Sequence, residues 1–166
     1  FFLTSVFDQV LTGFIFNTQN PDRISVPAIF LITMGGFAIV YLANWAVSSL
    51  MFTEGTRRNI LVVLCYTLVP YIITELIWIL VSNFANMELS AFMTAIRVIG
   101  LLWASFILVV GMIYIHQLSF FGTLGNLILT AIGILFILFL LLLGYTLVQQ
   151  IVTFVRTIYN EIVFRI

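Results

Sequence analysis

The chain has 166 residues, of which 63% are hydrophobic and 7% charged, and its formal net charge is zero. Soluble domains contain about 25% charged residues, so this composition excludes a soluble domain and predicts an integral membrane protein. Six basic residues, all arginine, are balanced by six acidic ones, which excludes the basic surface of a nucleic-acid-binding protein and a polybasic lipid-binding cluster.

The first predicted element is a short amphipathic helix at residues 1–16, where apolar side chains recur at helical spacing with polar residues between them. This pattern fits either the end of a first membrane span or a helix lying at the membrane surface. The chain begins at Phe1 without a methionine, so we expect the first span to start earlier in a longer protein. The segment NTQNPDR, residues 17–23, is rich in turn formers and ends this element.

Four apolar runs follow, and each is long enough to cross a bilayer. The predicted spans are residues 26–51, 58–83, 90–115 and 125–148. The predicted fold is all-α: a single transmembrane domain, residues 1–166, forming a polytopic helical bundle with four complete spans and the end of a truncated first span. Small residues predict faces where a neighbouring helix packs closely. They are Gly35 and Gly36 in the first run, and Gly100, Ala104 and Gly111 in the third.

The C-terminal tail, residues 149–166, returns to an amphipathic pattern. Its isoleucines and Val155 share one helical face, while Thr153, Arg156 and Asn160 lie elsewhere. The predicted arrangement is a separate amphipathic helix that lies along the membrane surface.

Polar, charged and helix-breaking residues gather between residues 44 and 71. We define the candidate contact corner as Asn44, Trp45, Glu54, Gly55, Arg57, Arg58 and Pro70. Asn44 needs a hydrogen-bond partner at its depth, and Trp45 suits the membrane–water boundary. Thr56 can cap the next helix, which Pro70 should kink. The corner holds no acid–base pair, so we interpret it as a tight hairpin turn that makes contacts.

Two ionisable residues lie inside apolar runs, Glu75 in the second and Arg97 in the third. Each is eleven residues from Asn86 at the centre of the intervening turn, so an antiparallel hairpin places both roughly 10 Å below the boundary. An isolated charge at that depth costs at least a few kcal/mol, so we expect an ion pair. The main interpretation is a structural clamp, and the alternative is a polar groove for a partner helix or a lipid headgroup.

Residues for catalysis or metal binding are scarce. One histidine, His116, and one cysteine, Cys65, cannot supply the ligands of a metal site, and the hydrolase and phosphate-binding motifs are absent. We therefore expect neither an enzyme nor a cofactor. His116 ends the third predicted span, where we expect water to satisfy its ring nitrogens.

Several short motifs occur in a distinctive order along the chain. TGFIFNTQNP follows the first element, NW-x-VSSLM and EGT lie in the contact corner, YTLVPY surrounds Pro70, and HQLS precedes the last aliphatic run. In order and spacing they resemble the bacterial branch of the Yip (Ypt-interacting protein) domain family, over nearly the whole chain. The resemblance implies a five-span helical protein with a cytoplasmic N-terminus and the C-terminus on the far side. It also implies a place beside ABC-type transporters, as accessory partners.

The predicted function is a non-enzymatic accessory or scaffold membrane subunit that binds and supports another integral membrane protein, with an ABC-type transporter as the candidate. The alternatives are a transporter or pore in its own right, or a membrane-shaping or trafficking protein. Expected partners are the lipid bilayer, subunits of such a transporter, and a second copy of the chain. We expect the bacterial plasma membrane, with ER or Golgi as the alternative. Arg57 and Arg58 favour a cytoplasmic corner, whereas Arg23, Arg156 and Arg165 would then lie outside.

Overall fold

The computed structural model describes residues 1–17 and 24–164, with Phe164 described by its backbone alone. Most of the predicted turn at residues 17–23, including Arg23, and the final residues Arg165 and Ile166 lie outside this part. The helices are α1 (Phe2–Leu11), α2 (Val26–Leu50), α3 (Arg57–Ser82), α4 (Ser90–His116) and α5 (Phe120–Phe164), and a 3-10 turn (Met87–Leu89) precedes α4. The described residues contain no strand, and the predicted all-α polytopic bundle is confirmed.

Four of the helices, α2 to α5, are long and apolar enough to cross a membrane. The 26 residues of α3 extend about 39 Å, which exceeds the hydrocarbon core of about 30 Å. Most of the large apolar side chains of these four helices are exposed. Such side chains are stable only against lipid or another protein, so the described helices form a multi-pass membrane protein.

Specific residues start and end the helices at the turns. The Thr56 side chain caps α3 by accepting a hydrogen bond from the Asn59 backbone N–H at 3.3 Å. Gln117 adopts a left-handed conformation, φ 53°, and ends α4. Pro70 removes one backbone donor, yet α3 continues through it.

The helices pair in two sets. The α3 and α4 helices form the most extensive contact, and α5 packs chiefly on α2. We call the side of the bundle with the α2–α3 turn the corner side, and the side with the α3–α4 turn the opposite side. Thr53 lies in the α2–α3 turn and contacts His116 at the end of α4, so the α4–α5 turn is also on the corner side.

Small residues mark the contact between α3 and α4, as the sequence predicts. A Cβ added at Gly100 would collide with the Thr74 side chain, one added at Gly111 would lie 2.6 Å from Val63 Cγ1, and Ala104 is buried. The prediction is wrong for Gly35 and Gly36. No described neighbour lies within 4 Å of a Cβ added at either, so neither glycine lies at a close contact between described helices.

The short helix α1 lies beside the second half of α3. Phe1 packs edge-on against Tyr71, with ring centroids 6.2 Å apart, and the Gly13 backbone N–H donates to Ser82 Oγ at 2.9 Å. The two helices therefore run parallel towards the opposite side. This arrangement suits the end of a span, because a helix lying at the surface would cross α3 rather than follow it.

The last helix, α5, corrects the predicted division into a span and a separate tail. It continues unbroken from Phe120 to Phe164, because residues 145–164 contain neither glycine nor proline. Every residue at 145–163 is exposed. Asn126 contacts Met51, and Gly133 lies beside Ala43, so α5 runs antiparallel to α2. In that register Val26 is level with about residue 150, and the rest of α5 reaches roughly 20 Å further.

Candidate functional site

Three charged side chains meet between α1, α3 and α4, and we call them the charge triad: Asp8, Glu75 and Arg97. Arg97 Nε and Nη2 donate to Glu75 Oε2 at 3.2 and 3.1 Å. Arg97 Nη2 also donates to Asp8 Oδ1 at 2.8 Å. The structure thus brings the two residues singled out in the sequence together, and adds a second carboxylate from α1.

Neighbouring side chains orient the charge triad. The Arg97 guanidinium lies 3.6 Å from the centre of the Trp78 ring, a favourable cation–π geometry. Asp8 Oδ1 also accepts a hydrogen bond from Thr12 Oγ1 at 3.1 Å. The Glu75 side chain is 7% exposed, whereas those of Arg97 and Asp8 are 40% and 37% exposed. Glu75 is therefore the member that most depends on its partner, because a buried charge is costly without one.

A cavity of about 250 Å³ lies against the two carboxylates, between α1, α2 and α3. Hydroxyl groups line it beside Asp8 and Glu75, including those of Ser5, Thr33 and Tyr71. Tyr71 lies one helical turn before Glu75 on α3. A smaller cavity of about 140 Å³ lies on the other side of Asp8 and reaches Arg97. We call the larger one the carboxylate cavity.

The predicted contact corner does not form one cluster. Glu54, Arg57 and Arg58 are exposed at the α2–α3 turn, and the Arg57 guanidinium lies 4.0 Å from the centre of the Trp45 ring. Pro70 is thirteen residues further along α3 than Arg57, which is about 20 Å, so it is not part of the turn.

Asn44 is also not available for contact at the corner, because it is buried between α2 and α5. Its Nδ2 donates to Asn126 Oδ1 at 3.1 Å and to Thr130 Oγ1 at 3.0 Å. These bonds provide the partner that the sequence requires at this depth. Asn126 and Thr130 come from the apolar last run, where composition alone did not single them out.

His116 forms a second polar contact, which the sequence interpretation missed. It is 2% exposed, with Nδ1 2.9 Å from Thr53 Oγ1 and Nε2 3.3 Å from Ser48 Oγ. A Cβ added at Gly55 would collide with its ring. The expectation that water satisfies His116 is therefore wrong, because the α2–α3 turn folds over it. We call His116, Ser48 and Thr53 the histidine latch.

The described residues contain no group of three or more histidine, cysteine, aspartate or glutamate side chains that could hold a metal ion. Cys65 is exposed on α3. The charge triad and the carboxylate cavity place charged and hydrogen-bonding groups within an apolar surface. Such groups can bind a ligand or a partner.

Comparison with known proteins identifies a family that the chain matches. The family model of the Yip1 domain matches residues 1–154, a range that contains the charge triad, the contact corner and the histidine latch. No curated protein and no solved structure matches the chain. The family match ends within α5.

Proposed function

Because the chain belongs to the Yip1 domain family, we propose that it is a non-enzymatic accessory or scaffold subunit that binds and supports another integral membrane protein. The resemblance to bacterial members makes the subunits of an ABC-type transporter the proposed partner. A second copy of the chain is the other proposed protein partner.

One observation supports this proposal most directly: the C-terminal part of α5 is exposed on every face. Four residues with polar groups, Thr146, Gln149, Gln150 and Thr153, line a shallow groove there, in a helix that is otherwise mostly apolar. Amide and hydroxyl side chains are the groups through which membrane helices bond to one another. Thr146, Gln149 and Thr153 bond within α5, and a partner helix packed on this segment would bring further donors and acceptors to the same groups.

We propose the bacterial plasma membrane as the location, with the corner side in the cytoplasm and the C-terminus outside. Arg57 and Arg58 are exposed at the tight α2–α3 turn, and short cytoplasmic loops are enriched in such residues. Labelling of a cysteine introduced at Glu54, with a reagent that cannot cross the membrane, tests the orientation. The background variant is Cys65→Ser. Labelling in intact cells would contradict a cytoplasmic corner.

Native purification in mild detergent with mass spectrometry of the companions tests the accessory function. We expect stoichiometric recovery of transporter subunits with the full chain. The double variant Gln149→Ala with Thr153→Ala should lower that recovery several-fold, because interhelical hydrogen bonds contribute about 0.6 kcal/mol each. Ser105→Ala is the matched control, since Ser105 is also exposed and bonds within its own helix, but lies on α4 and not on the C-terminal part of α5.

Two outcomes would favour the rival functions. Isolation as a homo-oligomer that passes solute in liposomes would indicate a transporter or pore. Tubulation of liposomes by the pure protein would indicate a membrane-shaping or trafficking protein. Either result, without companions, would overturn the accessory function.

A further inference from the structure

Within the described part of the chain, the charge triad holds one more acidic side chain than basic side chains. Asp8 and Glu75 contribute two carboxylates, and Arg97 is the one cation among the described residues that bonds to them. The recorded bonds to Arg97 engage Asp8 Oδ1 and Glu75 Oε2. A net charge within a membrane-spanning bundle costs at least a few kcal/mol, and membrane proteins offset such charges by pairing them. A further cation would therefore find a favourable position here.

The carboxylate cavity is shaped to receive such a cation. Glu75 is more than nine-tenths buried, and both carboxylates line the cavity together with the oxygen atoms of Ser5, Thr33 and Tyr71. A primary ammonium group has three N–H donors, which these oxygens can accept. Tyr71 is the one aromatic residue among the lining residues, so the aromatic cage that suits a quaternary ammonium group is not present there.

The position of the cavity favours an ammonium group carried by a lipid. Glu75 is seven residues before the end of α3 at Ser82, about 10 Å along the helix. A helix of about 39 Å overhangs a 30 Å hydrocarbon core by roughly 5 Å at each end, so Glu75 lies only about 5 Å inside the hydrocarbon boundary. Ile32 lines the cavity and is 74% exposed on α2, so the cavity is reached from the lipid side.

We propose that the carboxylate cavity binds the protonated primary amine of an ethanolamine phospholipid, with the ammonium group placed between Asp8 and Glu75. The lipid enters beside Ile32, and its phosphate stays at the membrane boundary. This assignment does not depend on the accessory function, because it concerns lipid and a different face of the bundle from the C-terminal part of α5.

Native mass spectrometry of the full chain, titrated with ethanolamine, choline and glycerol phospholipids of the same acyl chains, tests the assignment. We expect the ethanolamine lipid to bind about tenfold more tightly than the other two, since only its headgroup brings N–H donors that carry a positive charge. Asp8→Asn, which leaves the Arg97–Glu75 pair in place, should weaken ethanolamine-lipid binding about tenfold. Ser5→Leu, which fills the cavity without changing a charge, should do the same.

The matched control is Glu88→Gln, which removes an exposed carboxylate on the same side of the membrane and should leave lipid binding unchanged. Equal binding of the three lipids, or unchanged binding by Ser5→Leu, would overturn the proposal. Free ethanolamine that competes at the same concentration as the lipid would overturn the lipid as the source of the amine. Crosslinking of Asp8 to a lysine of a co-purified membrane protein would assign the cavity to a protein partner instead.

Discussion

Arg97 differs from Glu75 in how much each side chain depends on the ion pair. It is 40% exposed and stacks on Trp78, whereas the Glu75 side chain is 7% exposed. Removing Arg97 therefore leaves a buried carboxylate without a cation, which is the costly way to break a buried pair. The third member, Asp8, changes what a charge swap can achieve, because a glutamate at position 97 would face the Asp8 carboxylate.

We expect Arg97→Leu to lower the free energy of unfolding by about 3 kcal/mol, measured by titration with a denaturing detergent. Arg58→Leu is the control, since Arg58 is exposed at the α2–α3 turn. The swap of Glu75→Arg with Arg97→Glu should recover only part of the loss, and adding Asp8→Asn should recover more. Wild-type stability of Arg97→Leu would rule out a structural clamp.

Sequence reasoning reached Glu75 and Arg97 but not Asp8 or the histidine latch, for physical reasons. Glu75 and Arg97 lie on two helices joined by one turn. Their depths in the membrane can therefore be compared by counting residues from that turn. Asp8 joins them only because α1 lies parallel to α3, and no residue spacing specifies that choice of neighbour. His116 is buried because Thr53 and Gly55 fold over it, and a span end can equally well face water.

The helices themselves follow from the apolar runs, but their rotation about their own axes does not. Gly35, Gly36, Gly100 and Gly111 all lie within apolar segments, yet only the latter two contact a described neighbour. Composition identifies a glycine that permits close packing. Which side of the helix faces the bundle depends on contacts spread over its whole length.

This contrast leads to a prediction at the level of the α3–α4 contact. Gly100→Val should lower the free energy of unfolding by about 1–3 kcal/mol, because the added atoms collide with Thr74 and overpack the contact. Gly35→Val should change it little, since no described residue lies within 4 Å of a Cβ there. Thermal unfolding of both variants in one detergent checks this difference, and equal losses would contradict it.

The whole molecule divides into a packed bundle and the exposed C-terminal part of α5. Residues 145–163 are exposed throughout, so they contribute little to the packing of the bundle. A helix ending at Gln150 still spans about 46 Å and retains Asn126 and Thr130.

We expect truncation after Gln150 to change the free energy of unfolding by less than about 1 kcal/mol, because the side chains described in the removed part, at residues 151–163, are all exposed. Recovery of the companion membrane protein should fall, since the truncation removes Thr153 and the exposed residues that follow it. Detergent titration measures the first effect and quantitative mass spectrometry the second. Unfolding of the truncated chain would show instead that this segment stabilises the bundle.

The bond between Asn44 and Asn126 has a consequence for how the chain is made. It joins residues 82 positions apart, whereas Glu75 and Arg97 are 22 apart. During synthesis, the α3–α4 hairpin can close by its ion pair once α4 has been inserted. The Asn44 amide then lacks its hydrogen-bond partners Asn126 and Thr130 until α5 has been synthesised and inserted. An incomplete chain therefore exposes the Asn44 amide, which is buried in the complete chain.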